Sequence, residues 1–287
     1  MKHLVITSDD FGASLEVNEA VEQAHTQGAL TAASLMVAAP GAADAVERAR
    51  RLPNLGVGLH VVLVEGRPAL PPEQVPALVD STGHFRTDMV GAGVNLFFNP
   101  AARAQLLAEV TAQFEAFAAT GLRLDHVNAH KHFHLHPTIA GAILKVGKRF
   151  GMRAARLPIE PRAVLAKVEP GAYPANTVVD LWAGLARDRF RRAGVQVPDS
   201  VFGLAWSGAV TAERLAGMIA HLPEGLSEIY LHPATGSYSG SAPGYRYADE
   251  LAALLSPAAI GAAADETIRR GRFMDFLDST SPREPVA

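Results

Sequence analysis

A histidine-rich segment from Asp125 to Pro137 is the part of the chain best equipped for chemistry. It holds five of the eleven histidines in the 287-residue chain, and neutral imidazole is the commonest metal ligand in proteins. Four of them occupy every second position from 130 to 136, so a fully extended chain would place them on one face. A catalytic metal usually takes about three protein ligands and leaves one position for water. We therefore predict a metal site here, with the remaining histidines packing, hydrogen bonding or contacting substrate.

The alternative for this segment is a solvated loop that binds no metal. Its flanks argue against that alternative. Leu122, Leu124 and Val127 are typical of a buried strand that leads directly into the segment. Pro137 is typical of the first turn of a helix. The histidines therefore lie between two elements that we expect to be ordered.

Candidate residues elsewhere in the chain share a position at or near the end of an apolar run. They are Asp9, Asp10, His60, Arg156 and His232. The apolar runs are typical of buried strands, and about seven of them alternate with helical patterns, which favours a parallel sheet. In a parallel β/α barrel the carboxyl ends of the strands meet on one face. We therefore expect these side chains to converge with His130 and His132.

The types of these residues indicate a reaction class. The adjacent carboxylates of Asp9 and Asp10 cannot both fill one role. One can bind a divalent metal, while the other takes a proton from a water molecule whose pKa the metal lowers. His232 can protonate the leaving group. An aspartate and two histidines around a metal, an aspartate base and a histidine acid fit the hydrolysis of an amide.

Structural alternatives exist for two of these assignments. Asp9 and Asp10 could cap the following helix, because aspartate is common before a helix, although Ser14 already supplies a cap. His60 could be a core histidine that hydrogen bonds to the backbone. Its place at the end of the strand Gly-Val-Gly-Leu-His gives the functional interpretation equal weight.

The alternation of strands and helices predicts an α/β fold with one domain. We expect a single β/α barrel of about seven parallel strands over residues 1–278, followed by a disordered tail at residues 279–287. Residues 65–100 interrupt the alternation with prolines, glycines and an apolar patch. Long irregular insertions are usually functional, so we interpret this one as a substrate-binding loop or lid.

Composition excludes several classes of protein. A formal net charge of −3 gives no electrostatic reason to expect nucleic acid as a partner. The chain has no cysteine, so disulfides and thiolate zinc sites are excluded, and a metal must use His, Asp, Glu or water. The N-terminal apolar run is too short for a signal peptide, and no run reaches the roughly 18 residues of a membrane span. We expect a soluble cytoplasmic protein.

Four ordered motifs resemble those of the YdjC-like (ChbG-like) carbohydrate deacetylases. They are Thr-Ser-Asp-Asp-Phe-Gly at 7–12, Gly-Val-Gly-Leu-His at 56–60, His-Lys-His-Phe-His-Leu-His-Pro at 130–137 and Glu-Ile-Tyr-Leu-His-Pro at 228–233. Together they span most of the chain. The segments 30–37, 63–68 and 125–132 further resemble the hopanoid-biosynthesis-associated branch called HpnK.

The resemblance implies a fold, a reaction and roles for individual residues. The fold would be a distorted β/α barrel related to the polysaccharide deacetylases, and the reaction would remove acetyl from an N-acetylglucosamine group. In the hopanoid branch the substrate would be N-acetylglucosaminyl bacteriohopanetetrol. Asp10, His60 and His130 match the ligands of one divalent metal ion, with Zn and Mg expected first. Asp9 matches the base and His232 the acid.

One position departs from the family pattern. Many members have aspartate where this chain has Asn128, so a charge behind the metal ligands is either missing or supplied by Asp125. His132 remains an alternative ligand to His130, and with Arg156 it is also an expected substrate contact.

A hopanoid substrate would explain the apolar patch in the insertion at residues 65–100. Leu96, Phe97 and Phe98 would line a groove for a lipid tail or contact the inner membrane surface, which makes the protein peripheral there. The alternative is that they cover the barrel as core residues. Two other functions stay open: a deacetylase of chitooligosaccharides or another soluble amino sugar, and a non-catalytic protein that binds a metal or a glycan.

Overall fold

A curled parallel sheet forms the centre of the computed structural model, which describes residues 1–171, 173 and 177–277. The sheet order is β4-β3-β2-β1-β6-β5, and β7 pairs with the first residues of β1. All pairings between these strands are parallel. The strands are β1 (Lys2–Phe11), β2 (Ala32–Leu35), β3 (Gly56–Val61), β4 (Val127–Ala129), β5 (Ser200–Phe202), β6 (Gly225–Leu231) and β7 (Ile268–Arg270).

Strand β1 is the middle of this sheet and is buried on both faces. Leu4, Val5 and Ile6 are completely inaccessible to solvent. A strand with a packed inner face and helices on its outer face needs a continuous apolar run rather than an alternating pattern. This is why residues 4–7 could be identified as a strand from the sequence.

The segment 154–159 links the two edge strands. Arg156 N donates to Val127 O of β4 at 3.0 Å, and Val201 N of β5 donates to Ile159 O at 2.8 Å. The predicted strand 152–157 therefore lies where it was expected, but it forms isolated bridges rather than a continuous ladder. Pro158, which has no backbone N–H to donate, follows it directly. The predicted α/β fold, a distorted barrel of parallel strands, is confirmed.

Helices surround the sheet, and two of their predicted starts are confirmed. The Ser14 side chain caps α1 by accepting from Val17 N at 3.3 Å, and Pro137 is the first residue of α5. The helices of the described residues are α1 (Leu15–Gln27), α2 (Ala42–Arg51), α3 (Met89–Phe98), α4 (Pro100–Ala119), α5 (Pro137–Gly147), α6 (Arg162–Val168), α7 (Thr177–Arg192), α8 (Ala212–Ala220), α9 (Tyr247–Leu255) and α10 (Pro257–Ala263).

The insertion 65–100 differs most from expectation, because its apolar patch lies in the helix α3 rather than in an irregular loop. The Asp88 side chain caps α3 by accepting from Gly91 N at 3.0 Å. His136 Nε2 donates to Gly93 O at 3.1 Å and so fixes the middle of α3 to the start of α5. The insertion is therefore attached to the histidine segment.

Some element boundaries also differ. The helix predicted to reach residue 270 ends at Ala263, because Asp265 accepts from Thr267 N at 2.8 Å in a turn that precedes β7. The predicted disordered tail at 279–287 lies outside the described residues. Among the helices of the described residues, none combines the length and the apolar character needed to cross a membrane.

Candidate metal centre and active site

Three side chains converge at the carboxyl ends of β1, β3 and β4. Asp10 Oδ1 lies 3.1 Å from His130 Nδ1 and 3.3 Å from His60 Nε2. His60 Nε2 lies 3.3 Å from His130 Nδ1. Ligand atoms about 2.1 Å from a zinc ion at tetrahedral angles lie about 3.3 Å apart. The donor atoms thus already have the spacing that a tetrahedrally coordinated metal requires, and Asp10, His60 and His130 form a group able to hold such an ion.

We call the group of Asp10, His60 and His130 the metal triangle. The charge around it also suits a cation. Burial alone would lower the pKa of His60, but the carboxylates of Asp9 and Asp10 outweigh burial and raise it. Burial would likewise raise the pKa of Asp10, yet His130 and His60 hold it well below its usual range. In this buried site, positive charge therefore stabilises the Asp10 carboxylate.

A local distortion of β1 separates the two adjacent aspartates. Asp10 has a φ of 60°, in the left-handed region that side chains other than glycine rarely adopt. The pairing of β1 with β2 shifts register between Ser8 and Phe11, as expected for a bulge that redirects a side chain beside a functional site. Asp10 consequently faces the two histidines, whereas Asp9 faces the guanidinium of Arg156.

The histidine segment is not extended, so its histidines do not share the one face that a fully extended chain would give them. Residues 130–135 form 3-10 turns, and Lys131 and His132 have φ values of 52° and 53°. This backbone brings His130 alone to the metal triangle. The others bond elsewhere: His132 Nε2 to Tyr230 Oη at 3.0 Å, His134 Nε2 to Arg156 O at 2.8 Å, His136 Nε2 to Gly93 O at 3.1 Å and His126 Nε2 to Ser34 Oγ at 3.0 Å.

Asp9 is buried and held in its ionised form. Burial would raise its pKa, but the Arg156 guanidinium, aided by His60, holds that pKa well below its usual range. Arg156 Nη2 donates to Asp9 Oδ1 at 3.0 Å, and Arg156 Nη1 donates to Oδ2. Asn128 Nδ2 also donates to Asp9 Oδ1, at 3.0 Å. The carboxylate therefore has a fixed orientation toward the site.

Arg156 has a different position from the substrate contact expected from the sequence. Its side chain is completely buried, and it is not among the residues that line the cavity. Arg156 Nη2 also donates to Glu228 Oε1 at 2.7 Å, and its guanidinium lies 4.4 Å from the centre of the Tyr230 ring. Its guanidinium lies behind Asp9 and does not reach the cavity surface.

His232 follows β6 and faces the same cavity as Asp9 and Asp10. Its ring centre lies 5.6 Å from that of Tyr230 and 5.2 Å from that of Tyr245. Its backbone N donates to the buried carboxylate of Glu250 at 2.5 Å. The residue after β6 is thus fixed by its backbone, and its imidazole is fixed by two aromatic rings.

The cavity above the metal triangle has a volume of about 950 Å³. One wall consists of tyrosines that the sequence reasoning missed: Tyr230, Tyr238, Tyr245 and Tyr247. The lining also includes Lys131, which forms an ion pair with Glu65. The tyrosine wall could have been predicted from the Gly/Ser/Tyr-rich stretch that follows His232 closely in the sequence. His132 also lines this cavity, as expected for a substrate contact.

The three apolar residues predicted to contact substrate have different environments. Leu96 is only 3% exposed and belongs to the core, so the core alternative describes it correctly. Phe97 and Phe98 are 41% and 81% exposed. None of the three is a lining residue of the cavity; they lie on α3, outside it.

The chain is similar to proteins of known description. Residues 3–264 match the family model described as YdjC-like protein. The chain is 38% identical over 147 residues to a carbohydrate deacetylase from Brevibacillus brevis, covering 51% of this chain and 56% of that protein. It is 29% identical over 282 residues to a carbohydrate deacetylase from Geobacillus stearothermophilus, covering 96% of this chain and 98% of that protein.

A solved structure shares the fold. The crystal structure of a candidate cellobiose-phosphate cleavage protein from Enterococcus faecalis V583 superposes with a TM-score of 0.75. It is 23% identical in sequence, and the match covers 96% of this chain and 99% of that chain.

Proposed function

Because the chain belongs to the YdjC-like protein family, we propose that it is a metal-dependent carbohydrate deacetylase that removes acetyl from an N-acetylglucosamine group. The observation that carries this proposal is the convergence of Asp10, His60 and His130 at metal-ligand spacing, with Asp9 and His232 facing the same cavity. A protein that only binds a metal or a glycan needs the triangle and the cavity but has no use for an acid and a base beside them.

The residues around the triangle divide the chemistry between them. A divalent metal held there would lower the pKa of a water molecule and polarise the amide carbonyl. Asp9, kept ionised by Arg156, orients the attacking water and accepts its proton. A carboxylate oxygen has more than one acceptor site, so the bonds from Arg156 leave room for that water. His232, across the cavity, donates a proton to the departing amine.

For the identity of the substrate, we propose the N-acetylglucosaminyl hopanoid that the HpnK-like segments imply. An exposed apolar surface on two helices supports it. We call it the apolar surface, and it consists of Val90, Val94, Phe97 and Phe98 on α3 with Leu181 and Leu185 on α7. Phe97 joins the helices, because its ring centre lies 6.2 Å from that of Trp182. α3 begins just after Thr87, which lines the cavity.

We propose that a lipid tail whose sugar occupies the cavity would contact this surface. Exposed apolar patches of this kind commonly mark lipid or membrane contacts.

The tyrosine wall favours a second candidate, a deacetylase of chitooligosaccharides or another soluble amino sugar. Aromatic faces inside the cavity offer stacking surfaces for sugar rings, and the hydroxyl of Tyr245 bonds Ser207 Oγ at 2.8 Å and so fixes its ring. Both candidates use the same metal triangle. They differ in whether the apolar surface contributes to binding.

The test is acetate release by the zinc-loaded chain from an N-acetylglucosaminyl hopanoid and from diacetylchitobiose. EDTA-treated protein and the His130→Ala variant serve as controls. Release from the hopanoid that both controls lack supports the whole proposal. Release from diacetylchitobiose alone keeps the reaction and overturns the lipid substrate. No release from either, with zinc still bound, overturns the proposed activity.

A further inference from the structure

A chain of buried polar side chains lies directly behind the metal triangle. We call it the relay, and it consists of Asp125, His126, Ser34 and Asn128. Each is no more than 3% exposed. The distances are 3.0 Å from Asp125 Oδ2 to His126 Nδ1, 3.0 Å from His126 Nε2 to Ser34 Oγ, and 2.8 Å from Ser34 Oγ to Asn128 Nδ2. The relay ends at His60, whose Nδ1 lies 2.7 Å from Asn128 Oδ1.

The chemistry of each group allows one direction of donation through the relay. An ionised carboxylate can only accept, so His126 Nδ1 carries a proton that it donates to Asp125. His126 Nε2 must then accept from the Ser34 hydroxyl. The Ser34 oxygen in turn accepts from the amide of Asn128. With a neutral His126 ring, each step therefore fixes the next.

The neighbourhood of Asn128 fixes its amide in the same orientation independently. The second N–H of Asn128 Nδ2 donates to Asp9 Oδ1 at 3.0 Å. A flipped amide would place the Asn128 oxygen against that carboxylate, where two acceptors repel each other. Asn128 Oδ1 therefore faces His60 and must accept the proton of His60 Nδ1. In the neutral ring, His60 Nε2 is then the unprotonated nitrogen, and it faces Asp10 and His130 where a metal would bind.

We propose that Asn128 is a positioning residue that selects the metal-binding tautomer of His60, and that Asp125, His126 and Ser34 set the orientation of its amide. This inference rests on the proposed metal-dependent function. Histidine ligands of metals generally donate their other ring N–H to an oxygen, and loss of that partner typically lowers metal affinity about 10–100-fold. Here the oxygen belongs to a neutral amide, and the same amide also donates to Asp9.

Two glycines of the motif at 56–60 are explained by the relay. A Cβ on Gly58 would lie 2.5 Å from Cε1 of His126, and a Cβ on Gly56 would lie 2.6 Å from Oδ2 of Asp125. Real Cβ atoms do not approach other atoms that closely. The motif therefore supplies both the ligand His60 and the space for the side chains that orient it.

The relay also corrects the expectation that Asp125 replaces a missing charge beside the metal ligands. Asp125 Oδ1 accepts from Met274 N at 3.0 Å, and Oδ2 accepts from His126 and from Phe273 N at 3.3 Å. The Asp125 carboxylate is thus occupied by these three donors, and His126, Ser34 and Asn128 lie between it and His60. It acts on the metal ligand only through the orientation of the Asn128 amide.

Ser34, His126 and Asp125 have the connectivity of a serine hydrolase triad, but they are not a nucleophilic site. The Ser34 side chain is completely buried and does not line the cavity. Its oxygen is already bonded to both His126 and Asn128. A substrate carbonyl has no access to it, so orientation of the metal ligand is the role that its position allows.

The first measurement is the tautomer of the His60 ring by ¹⁵N NMR in the full-length chain without metal, at a pH high enough for the ring to be neutral. The wild-type chain is expected to carry the proton on Nδ1. In Asn128→Leu and Ser34→Ala, the two tautomers should mix. Ser34→Ala keeps Asn128 but removes the Ser34 oxygen that accepts from its amide, so it carries the test if Asn128→Leu does not fold. Ser227→Ala is the matched control, because Ser227 is equally buried but lies outside the relay.

The second measurement is zinc affinity by competition with a chelator. Asn128→Leu should bind zinc about 10–100-fold more weakly than wild type, whereas Ser227→Ala should stay within about threefold. A proton on Nε2 in the wild-type chain, or unchanged zinc affinity in Asn128→Leu, would falsify the inference. A chain with the expected tautomer and affinity but no acetate release would leave the relay intact and overturn the proposed function instead.

Discussion

Arg156 donates two hydrogen bonds to the carboxylate of Asp9, and the arginine itself is shielded from the cavity that Asp9 faces. The same guanidinium donates to Glu228 Oε1 at 2.7 Å. Two buried carboxylates therefore share one buried cation. The guanidinium that keeps Asp9 ionised therefore also stabilises the buried carboxylate of Glu228 in β6.

Removal of that cation should destabilise the fold. Arg156→Met removes the cation that the buried carboxylates of Asp9 and Glu228 share, which is expected to lower the free energy of unfolding by about 3–5 kcal/mol. The control is Arg162→Met, because Arg162 pairs with Asp180 where the two side chains are 39% and 48% exposed. Arg162→Met should lower the free energy of unfolding by less than about 1 kcal/mol. Urea unfolding at pH 7 measures both, and equal small losses would contradict the buried role of Arg156.

The choice between His130 and His132 as metal ligand is testable directly. His130→Ala removes a donor atom of the triangle, so zinc affinity should fall by more than the roughly 100-fold expected from loss of an outer partner. His132→Gln should leave zinc affinity unchanged, because His132 Nε2 bonds Tyr230 Oη and not the triangle. Metal content after dialysis reports both. Loss of zinc from His132→Gln with retention in His130→Ala would reverse the assignment.

The sequence was sufficient for the residues whose position follows from the strand pattern. Asp9, Asp10, His60 and His232 each follow or end an apolar run, and parallel strands bring such ends to one face. The choice of Asp10, His60 and His130 as the ligand set came from the family resemblance, because the strand pattern alone did not separate Asp10 from Asp9 or His130 from His132. Ser14 and Pro137 likewise act locally, so their roles as helix starts could be predicted from residue type alone.

The sequence was insufficient wherever tertiary contacts override the local preference of the backbone. Lys131 and His132 have positive φ values, which residue type disfavours, and this conformation removes the expected common face of the histidines. The burial of Arg156 could not be inferred either, since a lone arginine at a strand end is usually exposed. Its partners Asp9 and Glu228 come from the distant strands β1 and β6.

Stability should fall in acid because of a buried neutral histidine. Burial lowers the pKa of His134 from 6.5 to about 4. Below pH 6.5 the unfolded chain binds a proton that the folded chain does not bind until about pH 4, so folding stability is lost as the pH falls through this window. The loss approaches about 1.4 kcal/mol per pH unit, or about 3 kcal/mol in all.

The variant His134→Gln isolates this contribution. Glutamine can still donate to Arg156 O, as His134 Nε2 does at 2.8 Å, but it has no proton to bind between pH 6.5 and 4. The variant should therefore lose less stability than wild type across that range, measured by urea unfolding in the presence of a chelator. Parallel curves for the two chains would show that His134 does not titrate as described.

The lipid-linked substrate makes a prediction about the apolar surface. Burying one exposed phenylalanine against a lipid contributes about 1.5–3 kcal/mol, so Phe98→Ser should raise KM for an N-acetylglucosaminyl hopanoid by about tenfold or more. KM for diacetylchitobiose should not change, because Phe98 does not line the cavity. Leu15→Ser is the control, since Leu15 is 59% exposed on α1. Equal effects on both substrates would sink the lipid role of this surface.

The tyrosine wall predicts how the sugar is held, whichever molecule carries it. The Tyr245 ring lies 5.2 Å from His232 and lines the cavity. Tyr245→Ala removes a face on which a sugar ring can stack and frees the imidazole to rotate, so KM should rise and kcat should fall together. Tyr245→Phe keeps the ring and loses only the bond to Ser207 Oγ at 2.8 Å.

Steady-state kinetics on diacetylchitobiose separates these contributions. For Tyr245→Ala we expect kcat/KM to fall at least about tenfold, which corresponds to about 1.4 kcal/mol; for Tyr245→Phe the change should be less than about threefold. If the two variants lose activity equally, the hydroxyl is the important group and the wall binds by hydrogen bonding. If neither loses activity, the sugar does not stack on Tyr245, and the charged pair of Lys131 and Glu65, which also lines the cavity, is the next group to test.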